Sequence, residues 1–70
     1  MKEIMYNRVA ELRAKVGKTQ EELGQEVGVT RQTIIALEKG NYTPSVMLAI
    51  KISQVFKKSV DDIFIIQYEK

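Results

Sequence analysis

Between Thr19 and Lys39 the chain reads TQEELGQEVGVTRQTIIALEK, a stretch that few folds can accommodate. Thr19-x-x-Glu22 is a capping box, in which the hydroxyl accepts from an orphan amide of the first turn and the carboxylate reaches back. It opens a helix whose Leu23 and Val27 face inward. Gly28 suits the left-handed position that ends such a helix. Thr30 then caps a second helix with Ile34 and Leu37 on its inner side and Gly40 at its end. Gly24 lies inside the first of these helices, where glycine costs about 1 kcal/mol relative to alanine. That cost predicts close approach of another helix, which a larger side chain would hold off. The outward face of the second helix carries Arg31, Gln32, Ile35, Ala36 and Lys39.

The flanking segments complete a mainly α chain. A first helix is predicted from about Asn7 to Val16, with Val9, Leu12 and Val16 at helical spacing and Gly17 as its stop. Asn41-Tyr42-Thr43-Pro44 is a turn. Ser45 caps a fourth helix through Phe56, with Val46, Ala49, Ile52, Ser53 and Phe56 on one side. Ser59 caps a short fifth helix through Asp61, Asp62, Ile63 and Phe64. From Ile63 to Tyr68 the run I-F-I-I-Q-Y is rich in strand formers, and Ile4, Met5 and Tyr6 are more apolar than a free terminus requires. The two ends are therefore expected to pair as antiparallel strands beside the helices. A two-stranded ribbon alone is marginal. Its apolar surface, with Phe64, Ile65, Ile66 and Tyr68, is expected to form the interface of a homodimer.

Composition narrows the function. Seventy residues, 44% apolar and 29% charged, make one small globular domain spanning residues 1–70. Such a chain hides only about 60% of its unfolded surface, which favours association. It has no cysteine and no histidine, so thiolate, disulfide and imidazole chemistry are absent. The Asp61-Asp62 pair sits at a helix start, where acids favour the dipole. No enzyme activity, cofactor, metal or small-molecule ligand is expected. No apolar run approaches the roughly 18 residues that span a bilayer, and no secretory core follows Lys2-Glu3, so no membrane partner is expected and the expected address is cytoplasmic. Between Val29 and Lys58 the bases Arg31, Lys39, Lys51, Lys57 and Lys58 face a single acid, Glu38. That asymmetry suits a polyanion-facing surface, although ordinary solvated lysines would read the same.

A short helix, a small residue at the crossing and a glycine turn are what separate a helix-turn-helix from any helical hairpin. The motifs Leu12-Arg13, Gly17-Lys18-Thr19-Gln20-Glu21-Glu22-Leu23, Gly28-Val29-Thr30-Arg31-Gln32-Thr33-Ile34, Leu37-Glu38-x-Gly40, Pro44-Ser45 and Ser59-Val60-Asp61-Asp62-Ile63-Phe64 together resemble the phage-repressor-like (Xre-type) family of DNA-binding regulators. The resemblance covers roughly residues 6–64, with the helix-turn-helix at 19–39. It implies a five-helix, lambda-repressor-like domain, extended in some compact members by a small sheet from the termini. It further implies a dimeric transcriptional regulator, usually a repressor, on a palindromic double-stranded DNA operator. A helical protein-interaction module, antitoxin-like or adaptor-like, would share the fold.

Within that frame each residue has an expected role. Arg31 and Gln32, in the first turn of the third helix, are base readers: Gln32 pairs with adenine, and Arg31 with guanine or a phosphate. Thr33 can touch base or backbone. Ile35 either contacts a thymine methyl or is a plain exposed apolar residue. Gln20 and the start of the second helix are expected to clamp a phosphate, as the family resemblance also implies. Thr30, Lys39, Asn41, Tyr42 and Thr43 are further phosphate candidates, with packing of the Tyr42 ring over its turn as the alternative. Arg13 resembles a family arginine that pairs with the glutamate of the Leu-Glu-x-Gly motif, here Glu38. That pair is expected to join the first and third helices.

Overall fold

Four of the five helices in the computed structural model, which describes residues 2–69, begin on a hydroxyl. The elements run β1 (Lys2–Asn7), α1 (Val9–Lys15), α2 (Gln20–Val27), α3 (Arg31–Glu38), α4 (Val46–Phe56), α5 (Val60–Ile63) and β2 (Phe64–Glu69). The oxygens of Thr19, Thr30, Ser45 and Ser59 accept from the amides of Glu22, Thr33, Leu48 and Asp62 at 3.0, 3.3, 3.1 and 3.2 Å. At α2 the box is complete, since the Thr19 amide also donates to Glu22 Oε1 at 2.8 Å. Each cap satisfies one of the donors that a helix start leaves open. Short helices need this, because one of eight residues is unstable alone.

Nine apolar side chains form the core: Val9, Leu12, Leu23, Val27, Ile34, Leu37, Leu48, Ile52 and Ile63, with Val29, Val55, Phe56 and Phe64 packed against them. Burying each large member contributes about 1.5–3 kcal/mol, so every helix is held by what it packs on. Several expectations need correction. Helix α1 starts at Val9, because Lys2–Asn7 are committed to the ribbon. Val16 is the helix cap and 62% exposed, not a core position. On α4 Leu48 is buried together with the expected Ile52, while Val46 is 77% exposed. Phe64 belongs to β2 rather than to α5.

Gly24 is where α2 meets the turn. A Cβ there would lie 2.8 Å from the carbonyl oxygen of Val29 and 3.3 Å from the carbonyl carbon and oxygen of Thr30. The close neighbour is thus the backbone entering α3, not the side of another helix. Gly28, with φ of 79°, supplies the left-handed residue that reverses the chain.

The strands pair antiparallel, with Lys2 opposite Glu69 and Asn7 opposite Phe64. Paired residues share a face, so Ile4, Tyr6 and Ile65 lie on one side and Met5, Ile66 and Tyr68 on the other. Ile66 and Tyr68 are 57% and 60% exposed. Apolar side chains on both faces distinguish this ribbon from a sheet with one wet side. Its base is tied to the helices by Phe64 and by the Arg8 amide, which donates to the Ile63 carbonyl at 2.9 Å.

Gly24→Ala should lose about 1–3 kcal/mol in urea denaturation, because the backbone it meets has no rotamer to change. The loss outweighs the helix propensity alanine would add. At the α2 start, hydrogen bonds from Thr19, chiefly its backbone N–H, hold the Glu22 carboxyl below the usual carboxylate range. A depressed folded pKa adds stability above the unfolded value and loses it as pH falls through the folded value. The thermal midpoint should therefore exceed that of Glu22→Gln at neutral pH, and the two should converge in acid. A gap persisting below the folded pKa would assign the effect to shape instead of charge.

Candidate nucleic-acid interface

One carboxylate gathers the ends of three segments. Glu38, at the end of α3, accepts from Arg13 Nε at 2.8 Å on Oε2 and from Arg13 NH2 at 3.2 Å on Oε1. Arg13 sits near the end of α1, and its NH1 donates to the Lys18 carbonyl at 2.9 Å. Gln20, the first residue of α2, donates from Nε2 to Glu38 Oε1 at 3.1 Å. The Arg13 and Glu38 side chains are 19% and 7% exposed. Two charges so far from water are tolerated because the guanidinium and carboxylate meet side by side and their remaining positions are used. The hydrogen bonds it donates to Glu38, outweighing burial, hold the Arg13 guanidinium above its ordinary pKa.

This network fixes the direction of α3 with respect to α1 and to the start of α2. Ile34 and Leu37 are fully buried on its inner side, whereas Arg31, Gln32 and Lys39 are exposed on the outer one. Ile35 and Ala36 are half-buried, so Ile35 is not the isolated exposed residue that one sequence reading allowed. The hydroxyls of Thr30 and Thr33 lie 3.2 Å apart, and Thr30 also accepts the Thr33 amide. Thr33 is thereby held against the cap. Lys39, Asn41, Tyr42 and Thr43 form an exposed run after α3, with the Asn41 amide donating to the Ala36 carbonyl at 2.9 Å.

Gln20 is half-buried and already uses one N–H on Glu38. The capping box engages the Thr19 and Glu22 amides. Helix geometry gives the intervening Gln20 and Glu21 amides no intrahelical acceptor. They form a small donor patch at the positive end of α2. At the ribbon, Ile66 and Tyr68 are exposed, Ile65 is half-buried, and Phe64 is half-buried against the core.

Sequence reading missed Asn7, whose side chain bonds both α1 and α3. Its signal was available, since asparagine just ahead of an apolar helical pattern is a cap residue. It also missed Lys18, which receives Arg13 through its carbonyl and pairs with Glu26 through its ammonium. Among the described residues, no cluster of three His, Cys, Asp or Glu side chains could hold a metal, and no helix is long and apolar enough to cross a membrane.

Comparison with known proteins agrees with this architecture. Residues 9–63 match the helix-turn-helix family HTH_3. The chain is 52% identical over 65 residues to the uncharacterized HTH-type transcriptional regulator YgzD of Bacillus subtilis, covering 93% of this chain and 98% of that one. It is 53% identical over 66 residues to an uncharacterized HTH-type transcriptional regulator of Archaeoglobus fulgidus, covering 94% of each. The fold also resembles the crystal structure of the transcriptional regulator VanUg, with a TM-score of 0.77 at 24% identity over 99% of this chain and 92% of that one.

The ion pair makes a sharp stability prediction. Arg13→Ala strands Glu38 and should cost about 3–5 kcal/mol in denaturant unfolding. The double variant Arg13→Met/Glu38→Leu removes both charges and should recover most of that loss. Equal losses in the single and double variants would show that packing, and not a stranded charge, dominates.

Proposed function

The chain belongs to the Xre-type helix-turn-helix family HTH_3, a non-enzymatic class of DNA-binding transcriptional regulators, and on that premise we propose that it is a sequence-specific dimeric repressor. In this reading α3 enters the major groove of double-stranded DNA. Two copies then occupy a palindromic operator with half-sites about 34 Å apart. The observation that carries the reading is the position of Arg31 and Gln32. They are exposed in the first turn of a helix whose far side is sealed into the core and whose last turn is clamped by Arg13. A rigid helix with free polar side chains at its start is what base-edge recognition needs.

Gln32 then reads adenine, Arg31 reads guanine or braces a phosphate, and Thr33 assists from beside the cap. Ile35, half-buried on the same helix, offers its outer methyl groups to a thymine. Gln20 serves the phosphate backbone with its second N–H and the free amides of α2. Thr30, Lys39, Asn41, Tyr42 and Thr43 extend that backbone contact, which sets register rather than sequence. Ile66 and Tyr68, with Ile65 at the margin, form the dimer contact. That contact covers ribbon surface that would otherwise stay in water. In this reading the protein acts in the cytoplasm.

Selection from a pool of random duplexes, combined with the mass of the free and bound protein, tests the whole reading. A palindromic consensus bound by two copies is expected, with affinity falling steeply as salt rises. Absence of any preferred duplex at moderate salt would reject sequence-specific regulation and favour a protein-interaction module. On the selected site, Gln32→Ala should lose about 1–3 kcal/mol and relax preference at one or two positions. A uniform loss across sequences would reassign Gln32 to the phosphates. Tyr68→Lys should shift the free protein toward monomer, and an unchanged mass at micromolar concentration would place the interface elsewhere.

A further inference from the structure

The side chain of Asn7 joins two parts of the chain 30 residues apart. Its Nδ2 donates to the Leu37 carbonyl at 2.9 Å, in the last turn of α3. Its Oδ1 accepts from the Val9 amide at 3.1 Å, at the first residue of α1. Asn7 is also the last residue of β1, opposite Phe64 in β2. Among the described residues, no other side-chain hydrogen bond runs between β1 and the helices; the bond from Gln67 to the Tyr6 hydroxyl stays within the ribbon. The Leu37 carbonyl also receives the Gly40 amide at 3.0 Å. The end of α3 is therefore held by its own following turn and by the ribbon.

The chemistry of the carboxamide suits this double task. It carries an acceptor and two donors on one short planar group. Aspartate and serine would keep an acceptor for the Val9 amide, as good helix caps do. An ionised aspartate has no donor for Leu37, and the serine hydroxyl sits on a shorter side chain than the amide nitrogen. Capping of α1 and restraint of α3 can thus be separated by substitution.

We propose that Asn7 is a positioning residue for DNA recognition, coupling the terminal ribbon to the seating of α3. The proposal rests on α3 being the DNA-reading helix. When the Leu37 carbonyl is held, the two ends of the chain and the recognition helix move as one body. Coupling of this kind is reciprocal. DNA that immobilises α3 stabilises the ribbon, and a well-formed ribbon favours the binding-competent pose of α3.

The test is amide hydrogen exchange, read at the ribbon, of the wild-type chain, Asn7→Asp and Asn7→Ser, each free and bound to a duplex carrying one selected half-site. A single half-site excludes ribbon protection caused by recruiting a second copy. In the wild-type chain the duplex should slow exchange across β1 and β2. Both variants should still bind, with affinity lower by about tenfold, the effect of one well-placed hydrogen bond, and their ribbon exchange should not respond to DNA. General destabilisation would instead speed exchange in every element and leave the response to DNA in place. Ribbon slowing by the duplex in either variant as large as in the wild-type chain overturns the proposal. So does a wild-type ribbon that ignores a bound duplex, a result that stands even if both variants fail to fold. If the wild-type chain binds no selected duplex, the DNA-reading assignment of α3 fails first.

Discussion

The carboxylate of Glu38 is the point on which the arrangement of the first three helices depends. Helices α1, α2 and α3 have seven, eight and eight residues, too short to persist without tertiary support. Apolar packing holds them together but is non-directional. Hydrogen bonds from Arg13 and Gln20 to one carboxylate are directional, and they act at the ends of the helices, where a small rotation moves side chains most. A buried ion pair is a poor source of net stability, since desolvation offsets most of the attraction. What it adds is direction, which apolar contact alone does not supply.

That direction has a consequence at the surface. With Ile34 and Leu37 sealed inward and Glu38 engaged, α3 has little freedom to roll. The polar side chains at its start stay exposed in one direction, and the hydroxyl pair of Thr30 and Thr33 fixes the first turn below them. Gln20 bonds the same carboxylate that anchors α3. The start of α2 and the end of α3 are therefore mutually registered through a single atom, Glu38 Oε1. In the proposed complex, a phosphate contact at one and a base contact at the other share one rigid frame. Preorganisation of this sort lowers the ordering cost on binding.

The helix starts were legible because their chemistry is local: a hydroxyl and the amide three residues on need no distant partner. The same holds for the turn at Gly28. The face of α4 was legible in its later turns, where Ile52 is buried and Phe56 packs on the core as the period expects, but not in its first turn, and the reason lies in VMLAIKISQVF itself. Apolar residues fill the whole first turn, so the 3.6-residue period does not separate Val46 from Leu48 there; packing against the other helices does, turning Leu48 in and Val46 out. Val16 fitted the α1 period but fell one residue past the helix. Ile35 looked superfluous on a polar face because one helix wheel cannot show what lies at its margin. Asn7 was claimed by helix periodicity although its backbone belongs to a strand. Pairing of the termini was readable from composition alone, since both ends carry strand formers with nothing local to pack on.

In the proposed dimer the ribbon links stability to recognition. Two strands with apolar side chains on both faces gain little from their own hydrogen bonds in water, and Phe64 at their base is packed on the helical core while Ile66 and Tyr68 stay exposed. One helix presenting two long polar side chains would, by the same reasoning, give a weak and poorly selective hold on DNA, since each good bidentate contact discriminates by about 1–3 kcal/mol. In the proposed dimer both deficits have one remedy. Association covers the exposed side chains of Ile66 and Tyr68 and makes the second half-site contact effectively intramolecular. The helices need not grow for either purpose. A chain of this size can then divide its work between a core that orients α3 and termini that double it.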